Sequence, residues 1–217
     1  VSTLYFLLIY TSYFYAQEML RTMPPTKITC IILAGGLSTR MGGRNKALIS
    51  VEDKTLIEHS IDAIQHQVDH IVISANRNLS YLETLGFPVV EDQNRNQGPL
   101  AGIISAATHV DTNLILVSPC DVINIPGDFA VKATSSLIKT KSEIAIAKTN
   151  LGVQHLNFAL TLEGLMNLKL TFTQGVRKVS EWQQGLKQTY VNFDDHDEKT
   201  AFANLNTPED LEGHNLF

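Results

Sequence analysis

Two cysteines, one tryptophan and an aromatic content of 7% leave little material for several kinds of chemistry in this 217-residue chain. Cys30 lies inside an apolar run and Cys120 at the end of another, so there is neither a disulfide framework nor a zinc-ligand spacing, and a reducing cytoplasm is the expected setting. No Gly-x-Ser-x-Gly elbow occurs, and Cys120 has no evident histidine partner in sequence. The seven histidines are scattered. His66 and His70 are four apart, but His70 opens a strand-like run, so a shared zinc-binding helix face is not expected. No GxGxxG follows a strand and no lysine is followed by Ser or Thr in a glycine loop, which excludes the dinucleotide fingerprint and the P-loop. With 17 basic against 22 acidic residues the formal charge is -5, which argues against general affinity for nucleic acid or anionic lipid.

A long hydrophobic run is also lacking. Leu4 to Ala16 is apolar and aromatic, but it is shorter than the roughly 18 residues of a spanning helix and no Lys or Arg precedes it. Residues 1–26 differ in character from the rest, and the chain begins with Val1 while Met23 stands just ahead of the first strand-like run. The expectation is an upstream start-site artefact, with an interfacial anchor as the alternative. A single domain is expected over residues 27–217, a length ample for one core.

What is present is concentrated. Ile28-Thr29-Cys30-Ile31-Ile32-Leu33 reads as a buried strand that empties into Ala34-Gly35-Gly36-Leu37-Ser38-Thr39-Arg40-Met41-Gly42-Gly43-Arg44-Asn45-Lys46. Glycines allow close approach of backbone N–H groups to an anion, and Arg40, Arg44 and Lys46 add full positive charge beside them. A plain flexible connection is the simpler reading of any one Gly-Gly pair. The density of glycine and cation directly after a strand, where open α/β sheets bind ligands, favours a nucleoside triphosphate grip.

Further strand-like runs follow at His70–Ala75, Pro88–Val90, Asn113–Ser118 and Glu143–Ala147. Between them, Ile57, Ile61, Ile64 and Val68 make one helical stripe, and Leu100, Ile103, Ile104 and Ala107 a second. This alternation predicts a mainly parallel sheet covered by helices on both faces. Beyond it, Asn157–Leu160 and Gln188–Phe193 are expected strands, Leu165–Leu170 and Val176–Gln184 expected helices, and Thr207-Pro208-Glu209-Asp210 an expected helix start.

Carboxylates and amides fall at the predicted strand ends. Asp121, closing Ser118-Pro119-Cys120-Asp121, would face the same rim as the glycine loop and supply the one carboxylate that Mg²⁺ characteristically takes beside phosphate oxygens. A turn or helix-capping aspartate is the competing reading. Asn76 and Asp92 end two other strands and could read a base or ribose, or simply form turns. Gly98-Pro99-Leu100-Ala101-Gly102 opens a helix with small residues, admitting either a base or ribose against the backbone or close helix-to-sheet packing. The acidic residues around His196 read as a solvated turn.

Taken in order, LAGGLSTRMGGRNK, Ala75-Asn76-Arg77, Val90-Glu91-Asp92, GPLAG, Pro119-Cys120-Asp121 and Asn204-Leu205-Asn206-Thr207-Pro208-Glu209-Asp210-Leu211 resemble the molybdenum cofactor guanylyltransferase family over about residues 28–211. The first motif is shared with other nucleotidyltransferases, and the later ones narrow the choice. The resemblance implies a Rossmann-like three-layer α/β/α sandwich. It further implies that Leu33, Ala34, Gly35 and Gly36 hold the nucleotide, that Lys46 contacts its phosphates, and that Asn76 and Asp92 are nucleotide contacts. Asp121 would bind nucleotide and Mg²⁺, and Arg177, Asn204 and Asn206 would lie on the molybdopterin side. Two departures fall on that side: His155-Leu156-Asn157-Phe158-Ala159-Leu160 lacks the family's His-Pro, and Arg177-Lys178 stands where paired arginines are common. Lysine keeps the charge but not the planar fork.

The implied reaction is transfer of GMP from GTP to the phosphate of molybdopterin with release of pyrophosphate, Lys46, Arg40 and Asp121 carrying the catalytic charge. A cytidylyltransferase and a non-catalytic nucleotide-binding adaptor are the rivals. Cofactor-biosynthesis proteins and apo-molybdoenzymes are the expected macromolecular partners, with no nucleic acid and no membrane.

Overall fold

The computed structural model describes residues 27–35, 46–92, 97–194 and 201–204. The stripes and runs of the sequence become eleven strands and six α-helices in these segments. Strand β1 is Ile28–Leu33. A 3-10 turn at Lys46–Leu48 leads to a small hairpin of β2 (Ser50–Val51) and β3 (Lys54–Thr55), then helix α1, Leu56–Ile64. There follow β4 (His70–Ser74), α2 (Leu79–Glu83), β5 (Val89–Val90) and α3 (Pro99–Ala106). Next come β6 (Leu114–Pro119), β7 (Val122–Ile123), α4 (Phe129–Thr140) and β8 (Ile144–Thr149). The last are β9 (Gly152–Thr161), α5 (Leu162–Thr173), α6 (Val179–Gln184), β10 (Gln188–Asn192) and β11 (Ala203–Asn204).

Seven strands form one sheet in the order β10-β8-β9-β6-β1-β4-β5. All its pairings are parallel except those of β9, which runs antiparallel to both β6 and β8. Residues of opposite parity along each strand feed two cores. On one face Cys30, Ile32, Ile71, Ile73 and Leu116 meet Ile57, Ile61 and Ile64 of α1, Leu82 of α2 and Phe129, Ala133 and Leu137 of α4. On the other, Ile31, Leu33, Val72, Ile115, Val117, Phe158 and Leu160 meet Leu100 and Ile103 of α3, Leu165 and Leu168 of α5 and Trp182 of α6. Burial on both faces is why the parallel strands read as continuous apolar runs rather than alternating ones. The result is the expected three-layer α/β/α sandwich.

Boundaries moved where local chemistry competes with hydrophobic pattern. Helix α1 stops at Ile64, so Val68 reaches the core from the turn that follows. The expected strand at Asn157–Leu160 starts five residues earlier, because Gly152 and Val153 pair with Thr149 and Lys148 of β8 as a hairpin. The expected helix at Leu165–Leu170 extends to Leu162–Thr173, with Thr161 as N-cap accepting from Gly164 N–H. The helix expected to begin at Val176 begins at Val179 instead. The Thr207 helix start, the turn around His196 and residues 1–26 lie outside the described residues. Among the described residues no helix is long and apolar enough to cross a membrane.

Candidate functional site

Strand register brings the sequence motifs onto one rim. Leu33, the last residue of β1, stands opposite Ser74 of β4 and Pro119 of β6, and Ser74 stands opposite Val90 of β5. Four strands therefore end level, and the residues that follow them, Ala34-Gly35, Ala75-Asn76, Glu91-Asp92 and Cys120-Asp121, crowd the same edge. Backbone bonds lock the level: Cys120 N–H donates to the Leu33 carbonyl at 3.0 Å, Ala34 N–H to the Ser74 carbonyl at 2.8 Å, and Ala75 N–H to the Val90 carbonyl at 3.0 Å. The chain leaves β1 for β4 on one side and later returns by α3 to place β6 on the other. This reversal of winding opens a crevice at the carboxyl ends of the strands, the place where open sheets hold ligands.

Across the crevice, Lys46 Nζ meets Asp121 Oδ2 at 2.6 Å. Their side chains are 15% and 23% exposed, so the pair is shielded but remains open to a ligand. Lys46 is anchored at this point by the 3-10 turn it opens, whose Ala47 is buried in the same core as Cys120. A paired carboxylate at a strand end with a cation beside it suits a ligand carrying both phosphates and a divalent ion. A hard divalent cation takes a few carboxylate oxygens and completes its shell from phosphate and water. Among the described residues no group of three or more His, Cys, Asp or Glu is placed to hold a metal ion.

The second cluster lies under α3. Asn76 Nδ2 donates to Asp92 Oδ2 at 2.7 Å, and Asp92 N–H donates to Asn76 Oδ1 at 3.0 Å, a reciprocal pair that fixes the amide orientation. Asp92 Oδ1 accepts from the Ser74 hydroxyl at 3.1 Å. Gly35 is exposed directly above: a Cβ there would stand 3.4 Å from Asn76 Nδ2 and 4.0 Å from Asp92 Oδ2. Gly102 is needed below, since its Cβ would stand 2.5 Å from Ser74 Oγ and 3.3 Å from Asp92 Oδ1. The second glycine of GPLAG thus serves close helix-to-sheet packing. Gly98, at φ +84°, has a backbone conformation that L side chains rarely adopt and caps α3 ahead of Pro99.

Sequence reasoning overlooked Ser74, which looks like an ordinary strand residue. Its signal was a buried hydroxyl at the last position of an apolar strand, where only a partner justifies it. Both thiols are buried, and burial pushes them well above the ordinary range, so neither is a nucleophile at neutral pH.

The residues expected on the acceptor side are only partly described. The Arg177 guanidinium lies 3.8 Å from the Phe172 ring centroid, with Nη1 donating to the Phe172 carbonyl at 2.6 Å and Nε to Gln97 Oε1 at 3.0 Å. Much of its donor capacity is spent closing the C-terminus of α5. Asn204 pairs through its backbone with Val122, the residue after Asp121. Its side chain, together with Gly36, Arg40 and Asn206, lies outside the described residues.

Known proteins resemble this chain in sequence and in fold. The family model of the MobA-like NTP transferase domain matches residues 30–189. A molybdenum cofactor guanylyltransferase of Shewanella halifaxensis is 37% identical over 184 residues, covering 84% of this chain and 91% of that one. One from Shewanella woodyi is 38% identical, covering 84% and 93%. Among solved structures, molybdopterin-guanine dinucleotide biosynthesis protein A of Archaeoglobus fulgidus superposes with a TM-score of 0.70 at 21% identity, covering 85% and 95%, a likeness of fold. The chain is a nucleotidyltransferase of the MobA-like NTP transferase family and belongs with the molybdenum cofactor guanylyltransferases.

Proposed function

We propose that this enzyme transfers GMP from GTP to the phosphate of molybdopterin, and that residues 27–217 act as one catalytic domain in the cytoplasm. The observation that carries the reading is the convergence of Lys46 and Asp121 at the winding reversal of the sheet, on the rim that also holds Asn76 and Asp92. The names of the relatives supply the acceptor.

GTP would lie along the rim with its base toward β4 and β5, where Asp92 offers acceptor oxygens and Asn76 an amide, and with its phosphates over the end of β1. The Ala34 amide is tied to Ser74, so the nucleotide would use the Ala34 carbonyl and the exposed Gly35 backbone, with Gly36 following in sequence. A phosphate oxygen of molybdopterin attacks the α-phosphorus; the new O–P bond forms as the α–β bridging bond breaks, and pyrophosphate leaves with the electron pair. Lys46 and Arg40 offset the growing charge on that leaving group. The acceptor phosphate is already nucleophilic near neutral pH, so no Ser, Cys or His nucleophile is required. Asp121 would hold Mg²⁺, whose contribution is to neutralise and orient phosphate oxygens.

The test is incubation with each nucleoside triphosphate, Mg²⁺ and molybdopterin, read as dinucleotide product and pyrophosphate. Product with GTP alone supports the reading. Product with CTP instead identifies a cytidylyltransferase, and tight GTP binding without pyrophosphate identifies an adaptor.

A further inference from the structure

The arm of β9 that precedes its pairing with β6 carries an exposed histidine held by a buried amide. Gln183 of α6 is 1% exposed. Its Nε2 donates to the His155 backbone carbonyl at 2.9 Å, and its Oε1 stands 2.6 Å from His155 Nδ1. A carbonyl only accepts, so the amide nitrogen must face it and the amide oxygen must face the ring. That oxygen only accepts in turn, so Nδ1 carries a proton in the neutral ring and the imidazolium alike. The tautomer is fixed, and Nε2 is the atom left to face outward. No partner for Nε2 is found among the described residues. A fully buried glutamine spending both ends of its amide on one exposed imidazole is an arrangement that orients the ring.

Strand register gives its place on the sheet. Val117 of β6 stands opposite Phe158, and the Ser118 hydroxyl donates to Asn157 Oδ1 at 2.8 Å, both residues buried. His155 therefore continues past the level at which β6 ends, on the rim that bears Asp121. In the strand order β9-β6-β1-β4-β5, Asn76 and Asp92 lie on one flank of Asp121 and His155 on the other. If the base occupies the first flank, the acceptor's phosphate approaches the α-phosphorus across the second.

Resting on the guanylyl-transfer reading, we infer that His155 is a further substrate-binding residue: its Nε2 atom hydrogen-bonds the phosphate monoester of the acceptor, with Gln183 as its positioning residue. One proton is shared between ring and phosphate, Nε2 accepting from a P–OH when neutral and donating to the dianion when charged.

Two amide substitutions separate this role from that of a strut. In His155→Asn the side-chain amide can still donate to Gln183 in place of Nδ1–H but has nothing where Nε2 was. In His155→Gln the amide reaches the Nε2 position but loses the tether. Wild type and both variants are titrated calorimetrically with molybdopterin and separately with GTP, and assayed for transfer. The expected result is an acceptor affinity about tenfold or more weaker in His155→Asn, with a matching rise in acceptor KM, GTP affinity within about twofold of wild type, and partial recovery in His155→Gln. Normal acceptor binding by His155→Asn overturns the assignment, whether or not His155→Gln is impaired, and so does an equal loss of GTP affinity. If wild type binds molybdopterin but makes no dinucleotide, the functional reading fails while the titrations still decide His155; if wild type does not bind it, both fail.

Discussion

Lys46 Nζ and Asp121 Oδ2 lie 2.6 Å apart although 75 residues separate them in sequence. The contact spans the crevice at the point where the winding of the sheet reverses, and it joins a cation from the glycine loop to a carboxylate from the end of β6. Asp121→Asn keeps the shape and removes the charge, so kcat is expected to fall about 100- to 1,000-fold with the melting temperature nearly unchanged. Lys46→Ala is expected to cost a similar factor and to weaken GTP binding as well. Steady-state rates beside thermal melts check both.

The Asn76–Asp92 pair predicts a different signature. Asp92→Asn breaks the reciprocal geometry and removes the acceptor oxygens, so KM for GTP should rise about tenfold or more while kcat changes less.

Gly102→Ala tests the support beneath that pair. A methyl group there meets the Ser74 hydroxyl and Asp92 carboxylate, so either the pair shifts toward the crevice or α3 lifts from the sheet. Weaker GTP binding and a loss of about 1–3 kcal/mol in stability are expected, measured by nucleotide titration and denaturant melts.

The thiols give a negative control. Burial raises both well above their usual range, with the Asp121 charge adding to the effect at Cys120. Native protein should react with a disulfide reagent far more slowly than unfolded protein, and Cys120→Ala should retain most of its turnover.

Helix α1 offers a test of stability against pH. The Glu58 carboxylate accepts from the Thr55 hydroxyl and, at 2.8 Å, from Thr55 N–H, and these bonds hold it below the ordinary glutamate range. A depressed folded-state pKa contributes stability above the unfolded value and loses it as pH falls through the folded one. Glu58 is near solvent, so Glu58→Gln should cost only a few tenths of a kcal/mol near neutrality and flatten the acid side of the stability profile. Thr55→Ala should cost about 1 kcal/mol. Chemical denaturation at a series of pH values reads both.

Much of this architecture was legible because the strands are buried on both faces and announce themselves as apolar runs. The same logic placed Asp121, Asn76 and Asp92 on one rim, since residues just after parallel strands share an edge. The first arm of β9 was not legible: Gln154 and His155 carry no strand pattern and fall at an irregularity in the β8–β9 pairing, between Val153 opposite Lys148 and Phe158 opposite Ile146. Helix α4 went unnoticed because Val131 and Ile138 on its outer face are exposed and blur its stripe. Ser74, Gly102 and Gln183 owe their roles to neighbours distant in sequence, and no local pattern reports such contacts.

The most direct measurement is a crystal structure with GTP and Mg²⁺ bound. The phosphates should lie beside Lys46 with the metal on Asp121, and the base should lie toward Asn76 and Asp92. A nucleotide lodged instead in the cleft of about 560 Å³ at the opposite sheet edge, lined by Asp69, His70, Pro88 and His109, would contradict the account. So would one bound at the rim with Asp121 turned away from its phosphates.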